Sequence, residues 1–432
     1  MPRILCSALP DTITPDRTAT VTVEGWIHRR RQLSTVSFVV VRDRSGFAQV
    51  VVTDPVVRDQ VTSLPEETVI RVTGTVTLNA KAPGGVEIVD PVIRALSAPS
   101  EPQPVELWRP KLGATLPTVL DHAALTWRHP TRQAVWKIAA ASMTGFRRHL
   151  DSIGFTEVAT PKIVDQSTES GANVFTLDYF GKDAYLAQSP QLYKQILTGV
   201  FERVYEVGPV FRAEPHDTAR HLAEYTSLDA EFGFIDDHRD VLALLRGTLA
   251  AMIDTIRDTA GDAAATAGVE LPVVPEQIPV LHFSEALDLV GASPDEPDLA
   301  PEHERLLGKW AKSQFDSDFL AVEGYPAVKR PFYTHPQPDD PRWTNSFDLL
   351  FRGLELVTGG QRLHNHADYI AALAARGEDP ADYSPYLEAM GHGMPPHGGF
   401  AIGLERWVAR LLDADNIRYA TLFPRDIHRI RP

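Results

Sequence analysis

"FRAEPHDTARHLAEYTSLDAEFGF", residues 211–234, alternates charge with apolar bulk. Arg212, Glu214, His216, Arg220, His221, Glu224, Asp229 and Glu231 lie among Val210, Phe211, Leu222, Leu228, Phe232 and Phe234. Side chains two apart on a strand share a face, which groups Arg212 with Glu214 and Asp229 with Glu231. If the flanks "RVYEVGPVFRAE" and "LAEYTSLDAEFGFI" are antiparallel neighbours, these four line one polar floor, with Phe211, Phe232 and Phe234 packed beneath. The loop "PHDTARH" would then overhang the floor with Arg220 and His221. Guanidinium groups on a sheet and in a loop suit a polyphosphate, whose oxygens they bind in bidentate fashion. Cross-strand salt bridges on a wet sheet face fit this stretch equally well.

A second cluster favours a site. In "GLELVTGGQRLH", Glu355, Thr358 and Arg362 stand between apolar residues on a predicted central strand. A buried carboxylate is costly unless it is paired or binds metal. Glu355 and the Thr358 hydroxyl offer hard oxygen ligands for Mg²⁺ shared with substrate phosphates, leaving Arg362 for an anion. A structural Glu355–Arg362 bridge is the alternative. In "HGGFAIGLERWVARLL", glycines 398, 399 and 403 precede a helix carrying Arg406, which invites close approach of a ligand plane. In "AQSPQLYKQ", Gln191 and Lys194 share one face at a helix start.

The chain has 432 residues, which predicts two or three domains. Its 43% hydrophobic and 23% charged content is that of a globular protein, and no apolar run approaches the ~20 residues that span a bilayer. The start, "MPRILCSALPDTITPDRT", lacks the apolar core of a signal peptide, so no membrane association and a cytoplasmic location are expected. Cys6 alone makes neither an internal disulfide nor a cysteine zinc site. A net charge of -15 argues against salt-driven nucleic-acid binding over the whole surface, while leaving local patches such as "HRRRQL" at 28–33. No GxxxxGK[ST], GxGxxG, HExxH or GxSxG motif is present.

Residues 19 to about 97 read as five or so short β-branched strands separated by Gly, Asp and Pro turns, predicting a small barrel. "SAPSEPQPVELWRP" reads as a linker. Beyond residue 130 the pattern becomes mixed α/β (α+β), with long antiparallel segments. "RQAVWKIAAASMTGFRRHLDSIGF", "SPQLYKQILTGVF" and "DVLALLRGTLAAMIDTIRDTA" have helical spacing. "AGDAAATAGVELPVVPEQIP", low in aromatics, is expected to be a surface excursion.

Together these segments resemble the signature motifs of class II aminoacyl-tRNA synthetases: "GFTEVATP" motif 1, "FRAEPHDTARHLAEYTSLDAEF" motif 2, "GGFAIGLERWVARLL" motif 3. "GWIHRRRQLSTVSFVVVRDRSGFAQVVV", "QSPQLYKQ", "RPFYT", "FDLLFRGLELVTGGQR" and "LFPRD" extend the likeness, in order, to the aspartyl group of compact archaeal type. The resemblance implies a five-stranded OB-type anticodon-binding domain over 1–100, a hinge over 101–130 and a class II catalytic domain over 131–432. In the last, an antiparallel sheet flanked by helices would carry a helical excursion over about 236–325.

It also implies a reaction: aspartate attacks the α-phosphate of ATP, giving aspartyl-adenylate and pyrophosphate, and the aspartyl group then passes to tRNA. Carried over, Arg212 contacts the α-phosphate and Glu214 the adenine amino group. Arg220, His221 and Arg406 hold the β- and γ-phosphates, with Arg212 and Arg406 the catalytic pair. Glu355 and Thr358 bind Mg²⁺, and Glu355 belongs to the ATP site. Lys194 and Arg362 read the side-chain carboxylate, Asp229 the ammonium, and Gln191 and Thr358 line the aspartate site. Glu169 belongs to a closing loop, where Ser170 replaces a usual glycine. Other departures are Thr358 for the commoner Ser, Pro215 for a polar residue, and His122 for Arg.

On the barrel, Phe38 would stack on an anticodon base and Gln49 would read one. His28 and Pro83 stand where enzymes charging both tRNA(Asp) and tRNA(Asn) carry His and Pro, in place of Trp and Lys. Dual specificity is therefore expected, with a homodimer from motif 1 and an amidotransferase partner for Asp-tRNA(Asn). An asparaginyl-tRNA synthetase is the nearest alternative. A paralogue ligating without tRNA charging is the more distant one.

Overall fold

A computed structural model describes residues 2–14, 18–165, 173–215 and 217–431, in two compact units, Met1–Thr115 and Leu116–Pro432. Residues 101–115 of the predicted hinge group with the first unit and 116–130 with the second.

In the first unit, β1 (Ala19–Gln32), β2 (Ser37–Asp43), β3 (Gly46–Val52), β4 (Val69–Leu78) and β5 (Val86–Ser97) close in the order β1-β2-β3-β5-β4-β1. That closure is the expected five-stranded barrel. Alternation turns Val21, Val23, Val39, Val41, Val50, Ile70 and Val72 into one core, while Val40, Arg42, Phe47 and Gln49 face outward. Helix α1 (Pro55–Ser63) spans β3 to β4, with the Asp54 carboxylate accepting from the Val56 and Val57 amides.

The second unit is built on an eight-stranded sheet. Its strands are β6 (Thr156–Glu157), β7 (Arg203–Phe211), β8 (Glu224–Gly233), β9 (Val280–His282), β10 (Phe319–Glu323), β11 (Ser346–Phe351), β12 (Glu355–Gln361) and β13 (His397–Gly403). The order is β9-β10-β11-β12-β13-β8-β7-β6, antiparallel except for the outermost pair at each edge. Residues 236–325 thus add two strands to this sheet as well as helices. Helices α2 (Pro130–Ser152), α3 (Gln191–Phe201), α4 (His238–Ala267), α5 (Pro301–Phe315) and α6 (Leu404–Leu411) surround it. No helix among the described residues is long and apolar enough to cross a membrane.

Two local expectations fail. "AGDAAATAG" is not a surface excursion: α4 continues through it to Ala267, and Ala260, Ala263 and Ala264 are buried. Small side chains, rather than a bulky apolar stripe, make that contact. Phe234 does not pack beneath the sheet: it follows β8 with φ 61° and is 72% exposed.

Candidate active site

The opening hairpin forms as the alternation predicts. β7 and β8 pair in continuous register from Arg203↔Phe232 to Phe211↔Glu224, and the Arg212 amide donates to the Ala223 carbonyl at 2.9 Å. Leu228 and Ala230 enter the core, while Ser227, Asp229 and Glu231 take the opposite face. There Ser227 lines a cleft of about 420 Å³, with Asp229 and Glu231 beneath it against Lys194 and Arg362.

Around this cleft the structure gathers Arg212, Glu214, Arg220, His221, Glu355, Thr358 and Arg406. Gln191, Lys194 and Arg362 line it too, with Asp229 beneath. Glu169 lies outside the described residues, as does His216.

The deep end is a closed set of charges. Lys194 Nζ sits 3.0 Å from Asp229 Oδ1 and 3.3 Å from Glu231 Oε2. Arg362 Nε lies 2.9 Å from Glu231 Oε1, and its Nη2 donates to the Gly399 carbonyl at 3.1 Å. Glu231, noticed in the sequence only as a floor residue, is therefore the bridge between both cations. It is wholly buried, which alone would raise its pKa, but the Arg362 and Lys194 charges hold it below the usual carboxylate range. Arg362 takes this partner rather than Glu355, so the structural bridge entertained from sequence does not form. Among the described residues, the buried Gln191 side-chain nitrogen has no hydrogen-bond partner.

The glycines of "HGGFAIG" serve a different purpose from the one expected. A Cβ on Gly399 would stand 2.2 Å from Glu231 Oε2, and one on Gly398 would stand 2.6 Å from the Gly360 carbonyl oxygen. Both make room for protein atoms; Gly403 alone of the three lines the cleft.

The outer end is looser. Glu214 Oε2 is 3.2 Å from His221 Nε2, and His221 Nδ1 meets the Thr218 hydroxyl at 2.6 Å. The Arg212 guanidinium lies 5.7 Å from the Tyr225 ring centre. Arg406 Nη1 donates to the Glu355 carbonyl at 3.2 Å and stands 3.9 Å from its carboxylate. Arg418, unmarked in the sequence reading, ties the loop down: it donates to the Thr218 carbonyl and pairs with Asp217 and Asp426. Only its distance in sequence concealed it.

The Thr358 hydroxyl donates to Glu355 Oε1 at 3.2 Å, placing two hard oxygens side by side on β12. That donor set fits a Mg²⁺ that takes its remaining ligands from phosphates and water. Asp348 lies opposite Thr358 on β11, 2.9 Å from Arg330. Burial pushes its pKa up to about 6 despite Arg330. Glu405, at the start of α6, accepts from the Thr226 amide, and burial raises it to about 7.

On the barrel, Arg42 contacts His28 Nδ1 at 3.0 Å and pairs with Glu67 at 2.8 Å, and the Phe47 ring centre lies 4.9 Å from that of His28. Phe38 is half-buried on the same outer face, with Arg31 at 5.8 Å from its ring. Gln49 donates to Glu87, which also accepts from Asn79. Pro83 opens the exposed turn between β4 and β5.

The chain is similar to known proteins in sequence and fold. Residues 116–427 match the model for tRNA synthetases class II (D, K and N), and residues 21–96 match the OB-fold nucleic acid binding domain. The chain is 48% identical to the aspartate–tRNA(Asp/Asn) ligase of Thermus thermophilus, covering 94% of this chain and 96% of the relative. It is 44% identical to the enzyme of that name from Deinococcus radiodurans, covering 96% of each. Asparaginyl-tRNA synthetase from Pyrococcus horikoshii, solved with asparaginyl-adenylate, superposes with a TM-score of 0.89 at 30% identity over 96% of both chains.

Proposed function

The chain belongs to the class II tRNA synthetases of the aspartate, lysine and asparagine group, and on that premise we propose that it activates L-aspartate with ATP and transfers it to both tRNA(Asp) and tRNA(Asn). One observation carries the reading: a single cleft joins a buried Lys194–Arg362 pair to a looser rim of Arg212, Arg220, His221 and Arg406. The first end suits a small dianion with an ammonium, and the second a polyphosphate.

Arg362 keeps its Nη1 donors, and Lys194 gives up its long 3.5 Å contact to the Phe400 carbonyl, so that both turn a donor to the side-chain carboxylate of aspartate. Asp229 takes the ammonium, and Gln191 turns its unpartnered donor to the same substrate. The aspartate α-carboxylate then stands to attack the α-phosphorus of ATP. A new carboxylate–phosphorus bond forms, the bond to the bridging oxygen breaks, and pyrophosphate leaves. Arg212 neutralises charge building at that phosphorus. Glu214 accepts from the adenine amino group while His221, Arg220 and Arg406 turn to the outer phosphates, exchanging the present Glu214–His221 contact for ligand contacts. Glu355 and Thr358 would hold Mg²⁺, which when bound would supply further neutralisation of phosphate charge. No covalent enzyme intermediate is needed, and catalysis is positioning and charge stabilisation.

Dual tRNA specificity is supported by His28 and Pro83 on the barrel and by the dual naming of the Thermus and Deinococcus relatives. The same reading carries a homodimer, a cytoplasmic location and an amidotransferase acting on Asp-tRNA(Asn). Charging purified tRNA(Asp) and tRNA(Asn) transcripts with aspartate and with asparagine tests it. Aspartylation of both is expected. No charging of tRNA(Asn) sinks dual specificity, use of asparagine in place of aspartate sinks the substrate, and no charging at all leaves a ligase of another kind.

A further inference from the structure

Beside the cleft described above lies a second one of about 480 Å³, bounded by α5, the β11–β12 turn, α6 and the segment after it. Arg220 and Arg406 belong to both, so the second cleft begins where the polyphosphate end of the first stops. Its lining adds Arg305, Lys309 and Lys312, which at spacings of four and three residues share one face of α5. Arg352 and Arg410 close the far side.

Among the residues lining it, Asp318 and Asp415 oppose these seven cations, while Asp316, Asp413 and Glu355 pair from outside the lining with Lys312, Arg410 and Arg406. Lys312 and Arg352 share Asp318, at 3.4 and 3.5 Å. Arg305 and Lys309 are exposed and make no ion pair among the described residues. Arg410 Nε is buried with no hydrogen-bond partner among the described residues, and burial together with the Arg352 and Arg220 charges lowers the Arg410 pKa despite Asp413. Such a concentration of positive charge in a chain of net charge -15 focuses anions into one place. The cleft is also built to last: a Cβ on Gly308 would stand 2.5 Å from the Gly353 backbone, so α5 presses directly on the β11–β12 turn.

We propose that this second cleft is a polyphosphate subsite, which receives inorganic pyrophosphate as it leaves the catalytic cleft and admits it for the reverse reaction. The inference rests on the adenylate-forming reading. A compact cluster of cations in an open cleft, joined to the phosphate end through Arg220 and Arg406, matches a small polyanion. Nucleic-acid phosphates are instead tracked by charge strung along an extended groove.

The probe is inorganic pyrophosphate, titrated calorimetrically into the full chain while saturating α,β-methylene-ATP fills the triphosphate position. One pyrophosphate per chain is expected. Affinity should fall about tenfold in Arg305→Gln/Lys309→Gln, as for the loss of two exposed cations. The unfolding midpoint and the KM for ATP should stay unchanged, while the KM for pyrophosphate in adenylate pyrophosphorolysis rises by about the same factor. Lys309→Gln alone, a single exposed change, should move both pyrophosphate readouts in the same direction. Equal affinity in native and variant chains overturns the subsite, as does binding that the ATP analogue abolishes. Impaired tRNA charging with unaltered pyrophosphate affinity also overturns it, assigning the cleft to RNA phosphates. Native protein without aspartate-dependent adenylate formation would instead overturn the reading beneath it, and that is measured separately.

Discussion

The two ends of the catalytic cleft solve the problem of holding charge in opposite ways. At the deep end, Lys194, Arg362, Asp229 and Glu231 are buried and mutually paired, on α3, β8 and the end of β12. At the outer end, Arg220, His221, Glu355 and Arg406 sit on a loop, the start of β12 and a helix, more exposed and more loosely paired. On the proposed assignment, a small substrate of fixed shape would be met by a pre-compensated pocket, and a flexible triphosphate by charges that still have donors to give. The difference predicts where substitution harms the fold and where it harms only the chemistry.

Arg212→Ala breaks the comparison most forcefully. It should lower adenylate formation by about a thousandfold, as for loss of a preorganised transition-state donor, with the unfolding midpoint kept. A comparable loss of stability would show that the outer end is also structural.

Glu231→Gln tests the opposite end. Removing one member of a buried pair should cost about 3 kcal/mol of stability, read in a denaturant melt, besides raising the KM for aspartate. Its pH signature has a definite sign. The folded Glu231 carboxyl lies below the usual range, so its contribution is present above an unfolded pKa of about 4.3 and is lost as pH falls through the lower folded value. The variant should lack that acid-side loss.

Glu405 gives the reverse slope. Its folded pKa, raised to about 7, means the folded chain binds more protons than the unfolded one from about pH 4.3 upward to that value. Stability contributed at this position therefore falls as pH rises through that window. Glu405→Gln keeps an acceptor for Thr226 and should flatten the slope; an unchanged slope would contradict the assignment.

These contrasts were unequally visible in the sequence. The hairpin was legible because period-two alternation put Asp229 and Glu231 on one face and Leu228 and Ala230 on the other. The barrel was legible for the same reason. The Glu231–Arg362 bridge was not, since 131 residues separate its members and nothing local marks the pairing. Arg418 was hidden likewise, as a long-range anchor with an ordinary local setting. The glycines of β13 were seen, but their neighbours are protein atoms that only the sheet order supplies. The buried end of α4 misled because its contact is made by alanines, whose small side chains leave no bulky stripe.

The smallest effect belongs to the barrel. His28→Trp/Pro83→Lys should lower aspartylation of tRNA(Asn) relative to tRNA(Asp) by about tenfold, within the range of one base contact, with adenylate formation untouched. Equal loss on both tRNAs would assign these residues to general binding.

The most direct test of the central claim is amino-acid-dependent exchange of labelled pyrophosphate into ATP by the native chain. Exchange driven by aspartate, marginal with asparagine and absent in Arg212→Ala, is the predicted result. Exchange driven by asparagine, or near-normal exchange in Arg212→Ala, would contradict it.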